Sequence, residues 1–185
     1  GLHRVLHPAG ARGEPRPMGE SRAVNVTGTE NVCPAALAAD VTRLVHVSST
    51  SVYKQGLGEP VGENFPLEPL PDPYPLTKAA ADKRVQRMIA EEQLPAVIVR
   101  TSTFFGPGDH LNFGRIVDRL LARKAIIIGS GRNAVPFVHV DDEVQGLLLV
   151  LENERAEGQV YNSPGEHGPT PEGVLRRGAE QVGAA

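Results

Sequence analysis

Short apolar runs set apart by helical patterns constrain this chain more than any other feature. Leu44-Val45-His46-Val47 and Ala96-Val97-Ile98-Val99 are almost continuously apolar and too short to be helices. Leu2 to His7, Ala125 to Ile128, Pro136 to Val140 and Val160 to Asn162 read as further strands. Helical patterns lie between them: Ser21 to Ala39, Tyr74 to Met88 and Phe113 to Ala122. Two more follow Asp141-Asp142 and Thr170-Pro171, where a cap and a first-turn proline suit a helix start. Ala11 to Glu20 reads as loop, and Pro34 is expected to kink the first helix or shift its start. Strands that do not alternate with polar residues are buried on both faces. The expected fold class is therefore α/β, a parallel sheet with helices on both sides and right-handed crossovers.

Each buried run ends in small or polar residues. Pro8-Ala9-Gly10 follows the first strand, Ser48-Ser49-Thr50-Ser51 the second, and Thr101-Ser102-Thr103 the third. In open α/β sheets ligands bind outside the carboxyl ends of the strands, so these clusters share the edge where a ligand is expected. Each also reads as simple turn chemistry when taken alone. The segment from Val52 to Asp72, broken by repeated glycine and proline, is long for a compact domain and suits a cover over a site.

Tyr74 and Lys78 lie four apart at the head of a helix, hence on one face. A fixed ammonium beside a phenol favours the phenolate, and a phenol tuned in this way can exchange a proton with a substrate oxygen. The alternative is an exposed tyrosine and a solvated lysine. Asn25 is a polar residue near a turn, either a ligand contact or a surface cap. His110 and His139 lack partners at ligand spacing, so no metal site is expected.

Composition removes several function classes. A formal charge of -3 carries no basic footprint for nucleic acid or acidic membranes. No apolar run reaches the length of a membrane span. Cys33 is the single cysteine and is expected to pack, in a reducing compartment. Soluble, cytoplasmic residence is expected, with no secretory leader in view.

Ordered motifs then point to a family. His7-Pro8-Ala9-Gly10, Val24-Asn25-Val26-Thr27-Gly28-Thr29-Glu30-Asn31-Val32 and Val45-His46-Val47-Ser48-Ser49-Thr50-Ser51-Val52-Tyr53 resemble the extended short-chain dehydrogenase/reductase family. So do Tyr74-x-x-x-Lys78, the run from Arg100 to Gly106-Pro107-Gly108-Asp109, and Phe137-Val138-His139-Val140-Asp141-Asp142. The resemblance covers nearly the whole chain. It implies a Rossmann-like doubly wound sheet, shortened at its N-terminus, over residues 1–106. A small substrate-binding region over residues 107–185 of the same globular unit would complete it. It implies NAD or NADP as cofactor and redox chemistry at a secondary alcohol or ketone. By position, Ser49 matches the hydroxyl that binds the substrate oxygen and Tyr74 the proton donor or acceptor. Lys78 matches the residue that binds the nicotinamide ribose and tunes the tyrosine. Pro8, Ala9, Gly10, Asn25 and Ser102 match cofactor-contacting positions, as do Ser49, Tyr74 and Lys78. Relatives often form homodimers through the helix carrying the tyrosine and its neighbour.

The family's opening strand and glycine-rich loop have no counterpart here, so the chain is expected to be an internal fragment or a shortened product. Thr50 and Ser51 stand where some dehydratases carry an acidic pair. This wording leans toward a hydroxysteroid-dehydrogenase-like branch over a nucleotide-sugar epimerase or dehydratase. A non-catalytic binding module is the reading from outside enzymology.

Overall fold

The computed structural model describes residues 3–13, 16–54, 56, 60–127, 129–132, 134–163 and 168–183. Leu2 and Ile128, which ended two of the expected strands, lie outside them. The chain forms two compact units, Gly1–Thr101 with Val144–Ser163, and Ser102–Glu143 with Pro164–Ala185.

In the first unit β1 (Arg4–His7), β2 (Arg43–Ser49), β3 (Ala96–Thr101) and β6 (Val160–Ser163) form one sheet in the order β1-β2-β3-β6. Every neighbouring pair is parallel, as expected from strands without alternation. The register sets His7 beside His46, Ser49 beside Thr101, and Thr101 beside Ser163, so the carboxyl ends share one edge. All seven residues of β2 are buried. Successive side chains point to opposite faces. Leu44, Ala96 and Ile98 pack with Cys33 and Ala36 of α2 (Gly28–Ala38) and with Val85 and Met88 of α3 (Pro73–Glu92). Val45, Val47, Val97 and Val99 face the other way, onto Leu147 of α5 (Val140–Glu152) and Ala156. The core is thus two apolar layers with the sheet between them.

The first long helix begins earlier than its pattern indicates. It runs as α1 (Met18–Arg22), a wider π-helical turn over Ala23–Thr27, and then α2 without a break. Pro34 sits inside α2 and does not end it. The departure from α geometry falls instead around Asn25, whose backbone carbonyl accepts from the Thr29 hydroxyl at 2.8 Å. The helix stops where Asp40 turns left-handed. Val41 N–H then reaches the Ala36 carbonyl and Asp40 N–H that of Leu37, which satisfies the last carbonyls. α3 starts on Asp72, whose carboxylate accepts the Tyr74 N–H, and ends on left-handed Gln93.

In the second unit β4 (Thr103–Phe105) pairs in parallel with β5 (Phe137–His139), and α4 (Phe113–Leu121) packs against α6 (Pro171–Val182). β4 was not expected: three residues behind a polar run carry no periodicity. The strand expected from Ala125 is absent over residues 124–127. Ile126 and Ile127 are exposed there, at 66% and 45%, because an apolar run makes a strand only where an edge is free to pair with it. The Gly106-Pro107-Gly108-Asp109 run builds a helix start. Asp109 accepts the backbone N–H groups of Leu111, Asn112 and Phe113. A Cβ on Gly114 would stand 2.4 Å from the Asp109 carbonyl oxygen, so no larger residue fits there.

Candidate active site at the carboxyl edge of the sheet

Lys78 is the anchor. It is 3% exposed, and its Nζ donates to the Val47 carbonyl oxygen at 2.6 Å, two residues before Ser49 on β2. Burial holds its ammonium down to about 8, against the pull of the Asp82 carboxylate in the other direction. The solvated-lysine alternative is therefore overturned: α3 packs flat on β2 and carries this side chain under the strand tip. Tyr74 lies one turn earlier on the same helix face, half-buried.

Ser49 ends β2 and caps the single turn Thr50–Val52. Its hydroxyl oxygen accepts from the Ser51 backbone N–H at 3.2 Å and from the Ser51 hydroxyl at 2.9 Å. Both bonds use Ser49 as an acceptor, and a serine hydroxyl also carries one donor.

Asn25 is 1% exposed, so the surface-cap alternative does not hold. Its amide oxygen accepts the Ala11 N–H at 2.7 Å, and its amide nitrogen donates to the Thr77 hydroxyl at 2.9 Å. This side chain clamps the loop after β1 to the turn of α3 between Tyr74 and Lys78. Pro8, Ala9 and Gly10 are exposed at the end of β1, the same edge as Ser49. Ser102 is the first residue of the second unit and is buried. Asn25→Ala is expected to cost about 2 kcal/mol, because it strands a buried N–H and removes a donor from a buried hydroxyl. Urea unfolding checks this; a loss below about 0.5 kcal/mol would remove the clamp.

Two features here were not anticipated. Asp82 and Arg100 form a buried two-pronged ion pair, Nε to Oδ2 and Nη2 to Oδ1, both at 2.9 Å. Ser48 and Gln86 donate to the same carboxylate at 2.6 Å. Burial alone would push Asp82 up; hydrogen bonds and charge from Arg100, with those of Ser48 and Gln86, hold it below the usual range. Arg100 also donates to the Tyr53 hydroxyl and the Glu63 carbonyl, and Tyr53 donates to Asn162 of β6. This network straps the long segment after β2 to the sheet tip. The signal was legible: an arginine inside an apolar strand must find a buried anion, and Asp82 lies one turn beyond Lys78 on the same helix face.

The second feature is a histidine pair. His46 is 1% exposed and stacks obliquely on His7 with ring centroids 5.6 Å apart. Burial, reinforced by the Lys78 charge, keeps His46 far below its usual range and therefore neutral. His7 is lowered for the same two reasons, and its Nε2 pairs with the Thr29 hydroxyl. Cys33 is buried and its thiol is pushed up to about 11, so it packs and does not react.

Among the described residues no three His, Cys, Asp or Glu side chains converge on a common point, and no helix is long and apolar enough to cross a membrane.

Known proteins resemble this chain in sequence and in fold. The human dTDP-D-glucose 4,6-dehydratase is 33% identical over 144 residues, which cover 75% of this chain and 40% of that protein. The 3beta-hydroxysteroid-dehydrogenase/decarboxylase isoform 1 of Arabidopsis thaliana is 35% identical over 141 residues, 74% of this chain and 32% of the relative. A dTDP-glucose 4,6-dehydratase double mutant from Streptomyces venezuelae, solved with NAD bound, superposes with a TM-score of 0.83 at 27% identity, over 100% of this chain and 59% of its own. The chain thus spans less than half the length of these curated relatives. The sequence profile of the NAD dependent epimerase/dehydratase family matches residues 2–163. With that match over the motif-bearing part of the sequence, the chain belongs to the NAD-dependent epimerase/dehydratase family.

Proposed function

We propose that this chain carries the catalytic machinery of an NAD-dependent oxidoreductase acting on a secondary alcohol or its ketone, of the hydroxysteroid-dehydrogenase kind. The observation that carries the reading is the buried Lys78, fixed to the Val47 carbonyl one helical turn from Tyr74 and two residues from Ser49. NAD, when bound, supplies the acceptor for the two electrons and hydrogen that leave the carbinol carbon as hydride. The residues present suit its nicotinamide end. One Nζ donor of Lys78 is spent on Val47, and the remaining donors suit ribose hydroxyls. Pro8, Ala9 and Gly10 offer an exposed loop along the same edge.

In oxidation, Ser49 holds the substrate oxygen by donating to it, and Tyr74, as a phenolate stabilised by the Lys78 ammonium, takes the hydroxyl proton and becomes a neutral phenol. The carbinol becomes a ketone. In reduction Tyr74 returns the proton to the same oxygen. Asn25 positions α3 under the loop after β1, and Ser102 belongs to the cofactor contacts as the second unit begins. The division of labour follows the two units, with substrate recognition in Ser102–Glu143 with Pro164–Ala185.

Tyr74→Phe is expected to lower turnover by about 100-fold or more, the share of a positioned acid–base group, while leaving NADH binding in place. Titrating the purified chain with NADH, followed by nicotinamide fluorescence, and assaying secondary alcohols together give the test. Binding with unchanged turnover in Tyr74→Phe would sink the assignment. Absence of binding would favour a non-catalytic module.

A second reading, a nucleotide-sugar epimerase or dehydratase, draws support from the similarity to the dTDP-glucose dehydratases. Thr50 and Ser51, in the places of a dehydratase acidic pair, weigh against that branch.

A further inference from the structure

The second unit holds a cavity of about 780 Å³. That volume falls within the roughly 300–1,000 Å³ of small-molecule sites. β4, β5, α4 and α6 build its walls. Phe105, Phe113 and Phe137 cluster there, with centroid separations of 5.4 to 6.5 Å, and Val117 of α4 and Val174 of α6 extend the apolar surface. Its guanidinium and its carboxylate, Arg177 and Asp142, are both exposed, so they stand at the rim.

Aromatic and branched walls reward the removal of apolar surface from water, at about 25 cal/mol per Å². They give nothing to a group that keeps its hydration. A nucleoside diphosphate brings several formal negative charges, and phosphate sites are built from convergent guanidinium, ammonium and backbone N–H donors. Here one guanidinium is offset by one carboxylate, so the rim adds no net charge from this pair. The cavity is matched to a neutral ligand.

We propose that the second unit binds a neutral, largely apolar alcohol or ketone with a polycyclic or long-chain body, and does not bind a sugar nucleotide. This rests on the oxidoreductase reading above, and names the class from which its substrate is drawn.

The test is equilibrium dialysis of the full chain, without nicotinamide cofactor, against a neutral steroid ketone, a long-chain ketone and a UDP-hexose. Either apolar ketone is expected to bind, and the two arms separate ring from chain. Val117→Trp, which fills the cavity from α4, is expected to weaken that binding at least about tenfold, the scale of one misfit group in an apolar pocket. Arg177→Gln, which removes only a charge at the rim, is expected to leave it unchanged. Hydrogen exchange on the unsubstituted chain gives a readout that needs no variant: the bound ketone protects α4 and α6. Tighter binding of the UDP-hexose overturns the proposal. So does ketone binding that Val117→Trp leaves unaltered in a folded protein, or protection that spares both helices. The two readings fail separately. A ketone that binds this cavity and is never reduced, with or without NADH, removes the oxidoreductase reading and leaves the cavity's preference standing. NADH-dependent reduction of a small, water-soluble secondary ketone, with neither apolar ketone bound in the cavity, does the reverse.

Discussion

Lys78→Met is expected to lower turnover by about 100-fold or more and, at pH 7, to make the chain harder to unfold. The native lysine is buried as a cation, and burial lowers it from 10.5 to about 8. At about 1.4 kcal/mol per unit, the buried charge costs about 3 kcal/mol at neutral pH. Methionine removes that cost and forfeits one hydrogen bond to Val47, which is worth about 1 kcal/mol. The net gain is about 2 kcal/mol. The sign of the pH dependence follows from proton counts. Between pH 8 and 10.5 the unfolded chain holds a proton on Lys78 that the folded chain has released, so unfolding free energy rises with pH. Below about pH 8 both states are protonated and the contribution is flat. Cys33 acts in the opposite sense above pH 9, because burial raises its thiol to about 11. The difference between native protein and variant cancels the cysteine and isolates the lysine. Urea unfolding of both proteins from pH 7 to 10.5 gives that difference, and a gap that stays constant over the range would refute the buried-cation account. On the proposed mechanism turnover should fall by about 100-fold or more, because methionine offers no cation to the proton-transfer step assigned to Tyr74.

Arg100→Ala is expected to cost about 3–5 kcal/mol, the scale for leaving a buried charge without its partner. Arg100 is 2% exposed and Asp82 is 0% exposed, so water cannot take over the lost bonds. Arg100→Lys should recover little, because an ammonium cannot reproduce two parallel N–H bonds to one carboxylate. The double variant Arg100→Met with Asp82→Leu should recover much of the loss, because it removes both charges together. The damage should also be local. Arg100 holds the Tyr53 hydroxyl and the Glu63 carbonyl, so the variant should become sensitive to protease between Tyr53 and Asp72 before it unfolds globally. Cleavage there at the native rate, or a stability loss under about 1 kcal/mol, would show that the pair is not what straps this segment.

The parallel sheet was readable because burial on both faces leaves a mark on the strand itself. Leu44 to Val47 and Ala96 to Val99 have no polar alternation, and each proved to be a central strand. The Tyr74–Lys78 helix was readable from spacing and from Pro73 and Pro75 at its start, while the Asp72 cap shows only in the fold. What escaped notice depends on tertiary pairing. β4 is too short to carry a pattern, and Ala125 to Ile127 carries the pattern without an edge to join. Asn25 read as either a ligand contact or a surface cap, because its sequence neighbours suit a turn; only the approach of Ala11 and Thr77 gives its amide two buried partners. The Lys78 anchor was half legible. Spacing places it beside Tyr74, but the Val47 carbonyl belongs to a strand 31 residues away.

The sheet order carries a consequence for how the molecule is made. β6 is the last strand of the first unit, and it pairs with β3 across all of the residues between Thr101 and Val160. Until the ribosome has delivered Val160 to Ser163, one rim of β3 has no neighbour and Asn162 cannot receive Tyr53. A bare rim of this kind is a template for intermolecular pairing. Closure over so long a loop is also entropically late. The nascent chain therefore passes through a stage with β1, β2 and β3 in place and the strap still loose, and it is then that the growing polypeptide most needs shelter from its neighbours.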